Sequence, residues 1–426
     1  MERRETRRRF VQLTAGGVAL GVAGCVSDDE NGDDDHSHGD GDDHSHDDHD
    51  DHGDDHGHDD EDEDDAPGSD GLLYAFAPDE IAIIDPETGD VVETMTDVVS
   101  GASWGDPRIT HDHSEIYVIN DALAQVLVID TETRSVVAEV DIGPGATHIY
   151  HPKSDEIWAH ADDEGAFYVI DTDTHEVIEI VDSGLEGEGH GKLLYHEDFG
   201  SKGYATNVND PGAPIIDMDA YERSGFVELG EEGGTHYKAY APQSGLAYFE
   251  RSGGVGETGV VDIETDEVVD ELEFAGGMYL TPDETKMGVL DGDTIRFFDA
   301  TSEDSDPIGS VEVEGGPDAL RYYDDGETLY AFTANTMDDQ GAVIDVDELE
   351  VVDTLTVGDI ERPEGARFLH RSGVAGGGYF FTPAEADGTV AIVDMAAREV
   401  TAEVPVADGV DTLQYVGDSG TGHTGT

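Results

Sequence analysis

Cysteine is all but missing from this chain: Cys25 is the single one in 426 residues. Disulfides within the chain are therefore impossible, and iron–sulfur, blue-copper and c-type haem sites fall away with them. Basic residues are scarce too, with 20 Lys and Arg against 102 Asp and Glu and a formal net charge of −82. Nothing here can neutralise the phosphates of a nucleic acid. Helical periodicity is also lacking, and the one marked apolar run, Leu13 to Ala23, is too short to span a bilayer. No GxSxG, HExxH, CxxC or P-loop spacing occurs, so the common hydrolase and nucleotide-binding chemistries lack their signatures. Glycine-rich pieces such as EEGGT, RSGGVGE and AGGGY read as turns, since none follows a strand and opens a helix.

What the chain does have is a segment from Asp33 to Asp65 built almost wholly of Asp, Gly and His. Eight of the nineteen histidines lie in it: His36, His38, His44, His46, His49, His52, His56 and His58. So little apolar content cannot offset the entropy of ordering, and the tract is expected to be disordered. Imidazole beside carboxylate is the donor set that zinc, nickel or copper prefers, and each His-x-His step brings two donors to one ion. The tract is expected to capture divalent metal; an acidic solvating spacer is the plainer alternative.

Thr6-Arg7-Arg8-Arg9-Phe10-Val11-Gln12 resembles a twin-arginine export motif, and Val22-Ala23-Gly24-Cys25 resembles a lipobox. The expected organisation is a signal peptide over 1–24, a lipidated Cys25 heading the His/Asp tract over 25–69, a folded domain over 70–417 and a short tail over 418–426. The resemblance implies a lipoprotein held at the outer face of the cytoplasmic membrane, touching the membrane through its lipid alone. The acidity points to an extreme halophile, archaeal by expectation. Molar salt shrinks the Debye length to roughly 3 Å and screens the self-repulsion.

From about residue 70 the chain repeats. IAIIDPETGDVVETM, VLVIDTETRSVVAEV and FYVIDTDTHEVIEIV are the clearest copies, each an apolar strand ending in Asp, a turn and a Val-rich strand. The aspartates are Asp85, Asp130, Asp171, Asp217, Asp262, Asp299, Asp345 and Asp394, with gaps of 45, 41, 46, 45, 37, 46 and 49 residues. Four short strands per unit at that period predict a β-propeller, eight-bladed by this count and seven-bladed if one degenerate copy is misread. The repeated Asp is expected to cap its hairpin. The final strand, Asp411 to Val416, is expected to complete the first blade and close the ring.

These repeats are similar to the YVTN family of propellers, on pieces such as EIYVINDALAQVLVIDTETRSVVAEVDIG over residues 70 to 416. With the His/Asp tract and the export signal, the whole resembles the AztD family of extracytoplasmic zinc metallochaperones. That resemblance implies zinc held near the channel mouth and passed to the solute-binding protein of a zinc importer. The lipobox and the acidic surface depart from the family and put that partner in doubt.

The propeller's own histidines point the same way. Aligning GHGKLLYH with THYKAYAP puts His190 and His236 at the start of inner strands in adjacent blades, each two residues before a lysine. GATHIYHP brings His148 to the same side one blade earlier. Three imidazoles with an open fourth position suit zinc, with Ni2+ or Cu2+ as alternatives. Asp318, Glu364 and Asp411 hold the same position in later blades, as carboxylate ligands or as supports for the imidazoles. His160 is a further candidate. His111 and His113 form one more His-x-His step, and His151, His175, His196 and His370 are expected on solvated surface. A lone histidine at a strand start is more simply a turn residue; two aligned ones with a third nearby are not. Two other readings stand beside a non-enzymatic metal carrier. One is a cell-surface structural or protein-binding propeller on an acidic stalk. The other is a metal-dependent, lactonase-like hydrolase.

Overall fold

The computed structural model describes residues 71–96, 99–185, 187–302, 305–363 and 369–417. Cys25, the eight tract histidines and Glu364 lie outside the described residues. Thirty-two strands form eight four-stranded antiparallel sheets, so the protein is an eight-bladed β-propeller. Numbering the blades from the amino-terminal side, the inner strands that matter below are Trp104–Ile109 in blade 2, Ala146–Lys153 in blade 3 and Leu193–Leu194 in blade 4. Gly234–Ala241 follows in blade 5 and Pro317–Asp324 in blade 7.

The ring closes as the repeat boundaries require. Thr412–Tyr415 pairs antiparallel with Leu73–Ala77, joining Leu73 to Tyr415 and Phe76 to Thr412. Both terminal strands thereby lose an exposed edge.

Each blade buries its second and third strands on both faces and leaves its outer strand to solvent. In blade 3, Glu156–Ala161 is wholly buried while Glu176–Asp182 is mostly exposed. Between blades the apolar faces interlock: Tyr74, Phe76, Ile81 and Ile83 pack on Trp104, Ile116 and Val118. The two tryptophans are packing residues, each with its indole N–H donating, Trp104 to the Ala77 carbonyl and Trp158 to Glu156.

The repeated aspartate is a turn device. Asp171 Oδ1 accepts from the Thr174 amide and hydroxyl, and His175 closes the turn in the left-handed region at φ +54. Arg134, Tyr221, Asp266, Leu349 and Arg398 repeat that conformation, and Gly89 takes it without strain. Blade 6 departs from the pattern with a longer turn, where the Asp299 amide bonds the Asp306 carbonyl instead.

Candidate metal centre

Inner strands are irregular where they begin, and that irregularity presents the site. Pairing slips between Ala146 and Ile149 and again between Thr235 and Lys238, so His148 and His236 sit in bulges that re-aim their side chains. His190 lies in the irregular segment just before Leu193–Leu194. A Cβ at the next residue, Gly191, would fall 2.2 Å from the Thr206 carbonyl oxygen, so only glycine lets the chain pass this close.

The three imidazoles meet. His148 Nε2 lies 3.2 Å from His190 Nε2, which lies 3.1 Å from His236 Nε2. One nitrogen from each ring falls within 4.8 Å of the other two. His148 is fully buried, and the other two are partly buried.

Every ring is backed by a carboxylate. His148 Nδ1 donates to Asp106 Oδ2 at 2.7 Å and His190 Nδ1 to Asp162 Oδ2 at 2.6 Å. His236 Nδ1 faces Glu250 Oε2 at 3.7 Å, an ion-pair distance too long for a hydrogen bond. The hydrogen bonds to Asp106 and Asp162 put the ring hydrogens of His148 and His190 at Nδ1 and leave their Nε2 lone pairs facing each other. A tetrahedral zinc with bonds of about 2.0–2.1 Å holds its nitrogens roughly 3.3 Å apart, close to the two short separations here. By donor chemistry and spacing, the residues fit such an ion.

Electrostatics keep the donors ready. Burial, then Lys192, then the neighbouring histidines hold His148 well below the ordinary histidine range. Burial, Lys192 and His190 do the same for His236. Ligation requires the neutral ring, so no proton need leave these two at neutral pH. Asp162 is raised by burial, but hydrogen bonds from His160 and His190 outweigh this and leave it below the usual carboxylate value. Burial raises Glu250 against the Tyr237 amide and Lys192. The lysines are themselves buried, Lys192 Nζ standing 5.2 Å over the Tyr237 ring and Lys238 Nζ 5.7 Å over Tyr150.

The remaining candidates lie apart from this group. His160 is fully buried with both nitrogens engaged, Nδ1 to Asp162 at 2.7 Å and Nε2 to Ser183 at 2.7 Å, so it acts on His190 through the carboxylate they share. Asp318 accepts from the Arg371 amide at 2.9 Å and faces His370 at 3.3 Å. Asp411 is partly buried just ahead of the closing strand, and its Oδ1 has no hydrogen-bond partner.

Two expectations need correction. His370 was expected on solvated surface; it is partly buried ahead of the inner strand Val374–Gly376, with Nδ1 3.3 Å from Asp318 Oδ2. His151 was expected in solvent and is only 2% exposed. His175 contacts Glu115 and His196 caps a short 3-10 helix, both partly buried. The three supporting carboxylates were not anticipated. Asp106 was within reach, because SWGDPRI aligned on GATHIYH puts it at the position of His148 in the preceding blade.

No family model and no curated protein matches the chain. Solved structures do. The chain is similar to apo AztD from Citrobacter koseri at 12% identity and a TM-score of 0.59, covering 80% of this chain and 96% of that one. A second Citrobacter koseri AztD structure matches at 13% and 0.59 over the same shares. Dihydro-heme d1 dehydrogenase NirN, solved with DHE, matches at 14% identity and a TM-score of 0.64, over 82% of this chain and 75% of that one. At such identities the likeness is one of fold.

Proposed function

We propose that this protein is an extracytoplasmic carrier of a divalent transition metal, with zinc as its cargo. His148, His190 and His236 hold the ion, while Asp106, Asp162 and Glu250 orient the rings. The convergence of three Nε2 atoms, with a carboxylate at each Nδ1, carries the reading. Three protein donors leave a fourth position through which an acceptor's ligand can enter and take the ion away.

The remainder rests on sequence resemblance. The His/Asp tract gathers ions weakly and in number, Cys25 anchors the chain outside the cytoplasmic membrane, and the solute-binding protein of a zinc importer is the acceptor. The fold-level likeness to AztD is in keeping with this scheme.

Zinc titration in molar KCl tests it on three chains: residues 67–426, the same with His148, His190 and His236 changed to alanine, and the full mature protein. One tight site in the first that disappears in the second is the expected result. Binding by the full chain alone would confine metal capture to the tract and end the channel-site reading. Binding by none would favour a surface-structural propeller.

A further inference from the structure

The chain has five lysines: Lys153, Lys192, Lys202, Lys238 and Lys286. Three meet carboxylates in partly exposed ion pairs, Lys153 with Asp219, Lys202 with Asp266 and Lys286 with Asp347. Lys192 and Lys238 are placed otherwise. They are 2% and 3% exposed, and each follows a histidine of the metal centre by two residues. The Lys192 ammonium stands over Tyr237, whose ring centroid lies 4.3 Å from that of His236. The Lys238 ammonium stands over Tyr150, 6.5 Å from His148 between ring centroids. The charge of Lys192 bears on His148, His236 and Glu250 alike, so it lies among all three.

Two buried ammonium groups beside a cation site work against it, because charges repel far more strongly there than in water. Neutral imidazoles leave the two positive charges of a bound divalent ion untouched. Behind the rings, Asp106, Asp162 and Glu250 supply three negative charges when ionised. Against them stand the ion's two and one from each lysine, so one positive charge is left over. The coordination is also one ligand short. Among the described residues only His148, His190 and His236 converge, and a tetrahedral ion takes a fourth donor. A monoanion at the fourth position answers both shortfalls.

Building on the carrier reading, we infer that the centre takes its metal together with a small monovalent oxyanion, a carboxylate or bicarbonate, that bridges the ion to Lys192 and Lys238. One oxygen completes the tetrahedron and another accepts from an ammonium group. An oxyanion spans a wider gap than chloride, because separate oxygens serve the ion and the lysine. Metal and anion then raise each other's affinity by the same factor. With the anion present the lysines favour the loaded centre, and without it they oppose the ion. Loss of the anion thereby becomes a step toward release.

Cobalt(II) in place of zinc tests this on the full mature protein in molar KCl at fixed pH. Four-coordinate cobalt has intense visible bands that six-coordinate cobalt bound elsewhere lacks. Acetate and bicarbonate are titrated separately, over chloride already in excess. A saturable change in the bands is expected from at least one of them, with cobalt affinity raised about tenfold at saturation. Lys192→Met should bind cobalt and lose the response, Lys192→Arg should keep it, and Lys238→Met should weaken it. The Lys238 variant carries the test if Lys192→Met fails to fold. Four-coordinate bands that ignore both anions overturn this inference and leave the carrier reading standing. An undiminished response in either methionine variant also overturns it. Absence of four-coordinate bands from the wild-type protein overturns the carrier reading, and this inference with it.

Discussion

His190 and His148 face each other nitrogen to nitrogen, with 3.2 Å between their Nε2 atoms and a carboxylate behind each ring. Two neutral imidazoles with their hydrogens committed to Asp162 and Asp106 would repel along that line. A cation between them removes the conflict, and His236 completes a third side 3.1 Å from His190. The carboxylates thus do more than hold the rings in place, because they decide which nitrogen is left bare.

Asp162 should therefore tune affinity without touching the ion. Asp162→Asn is expected to weaken zinc binding by about 10–100-fold, the usual loss when a ligand histidine's outer partner is removed. His160→Gln should weaken it less, because His160 reaches His190 only through Asp162. Competition against a chromophoric chelator, on the chain shortened to begin at residue 67, reads both. An unchanged affinity in Asp162→Asn would remove the orienting role.

Lys192 works in the opposite sense. It is 2% exposed, and its charge depresses the pKa of both His148 and His236, so it must oppose any added cation too. Lys192→Met keeps the bulk of the side chain and deletes the charge. Zinc affinity is expected to rise roughly tenfold, about 1.4 kcal/mol, while Lys192→Arg leaves it low. Tighter binding with slower release to a chelator would mark Lys192 as part of the release side of a carrier. Equal affinities in the Met and Arg variants would discard the electrostatic account.

Ring closure gives a test of the fold. Thr412–Tyr415 supplies the fourth strand of blade 1 and its bonds to Leu73–Phe76. Ending the chain at residue 409 should leave a bare strand edge at Leu73–Ala77 and uncover the apolar face of blade 8 at Val374 and Phe381, on which Leu413 and Tyr415 pack. Aggregation at low protein concentration and loss of a single sharp melting transition are the expected results. A truncated chain that melts like the intact one would mean that the closure contributes little.

Much of this was written in the repeats. An apolar strand ending in Asp, eight times over, fixes the hairpin and its period, because an Asx turn is a local event between a side chain and the next three amides. His190 and His236 could be aligned for the same reason. What escaped the sequence was non-local. Glu250 and His236 lie on neighbouring strands of blade 5 while Asp162 reaches His190 from the preceding blade, and no spacing rule links such pairs. Arg371 is a like case: 1% exposed, it donates to the carbonyls of Asn335, Val357 and Pro383 and ties blades 7 and 8 together. His151 was misjudged because its burial comes from the neighbouring blade's turn, where His111 lies over it.

Asp411 stands just ahead of the closing strand, and its titration should be visible in stability. Burial pushes its carboxyl up to about 7 against the opposing hydrogen bond from Thr412, with Glu385 adding to the rise. In the unfolded chain the same group titrates near 3.9. Between those values the folded state holds a proton that the unfolded state has lost, so this group's stabilising contribution is full below about pH 4. It drains away as pH rises through about 7. The shift sets a ceiling of about 4 kcal/mol on the effect. Asp411→Asn removes the ionisation and keeps the shape. The variant's advantage over the parent is expected to grow by about 1–3 kcal/mol between pH 5 and pH 8. Chemical denaturation in molar KCl at both values decides the matter. The same difference at pH 5 and pH 8 would mean that the Asp411 carboxyl ionises freely in the folded ring.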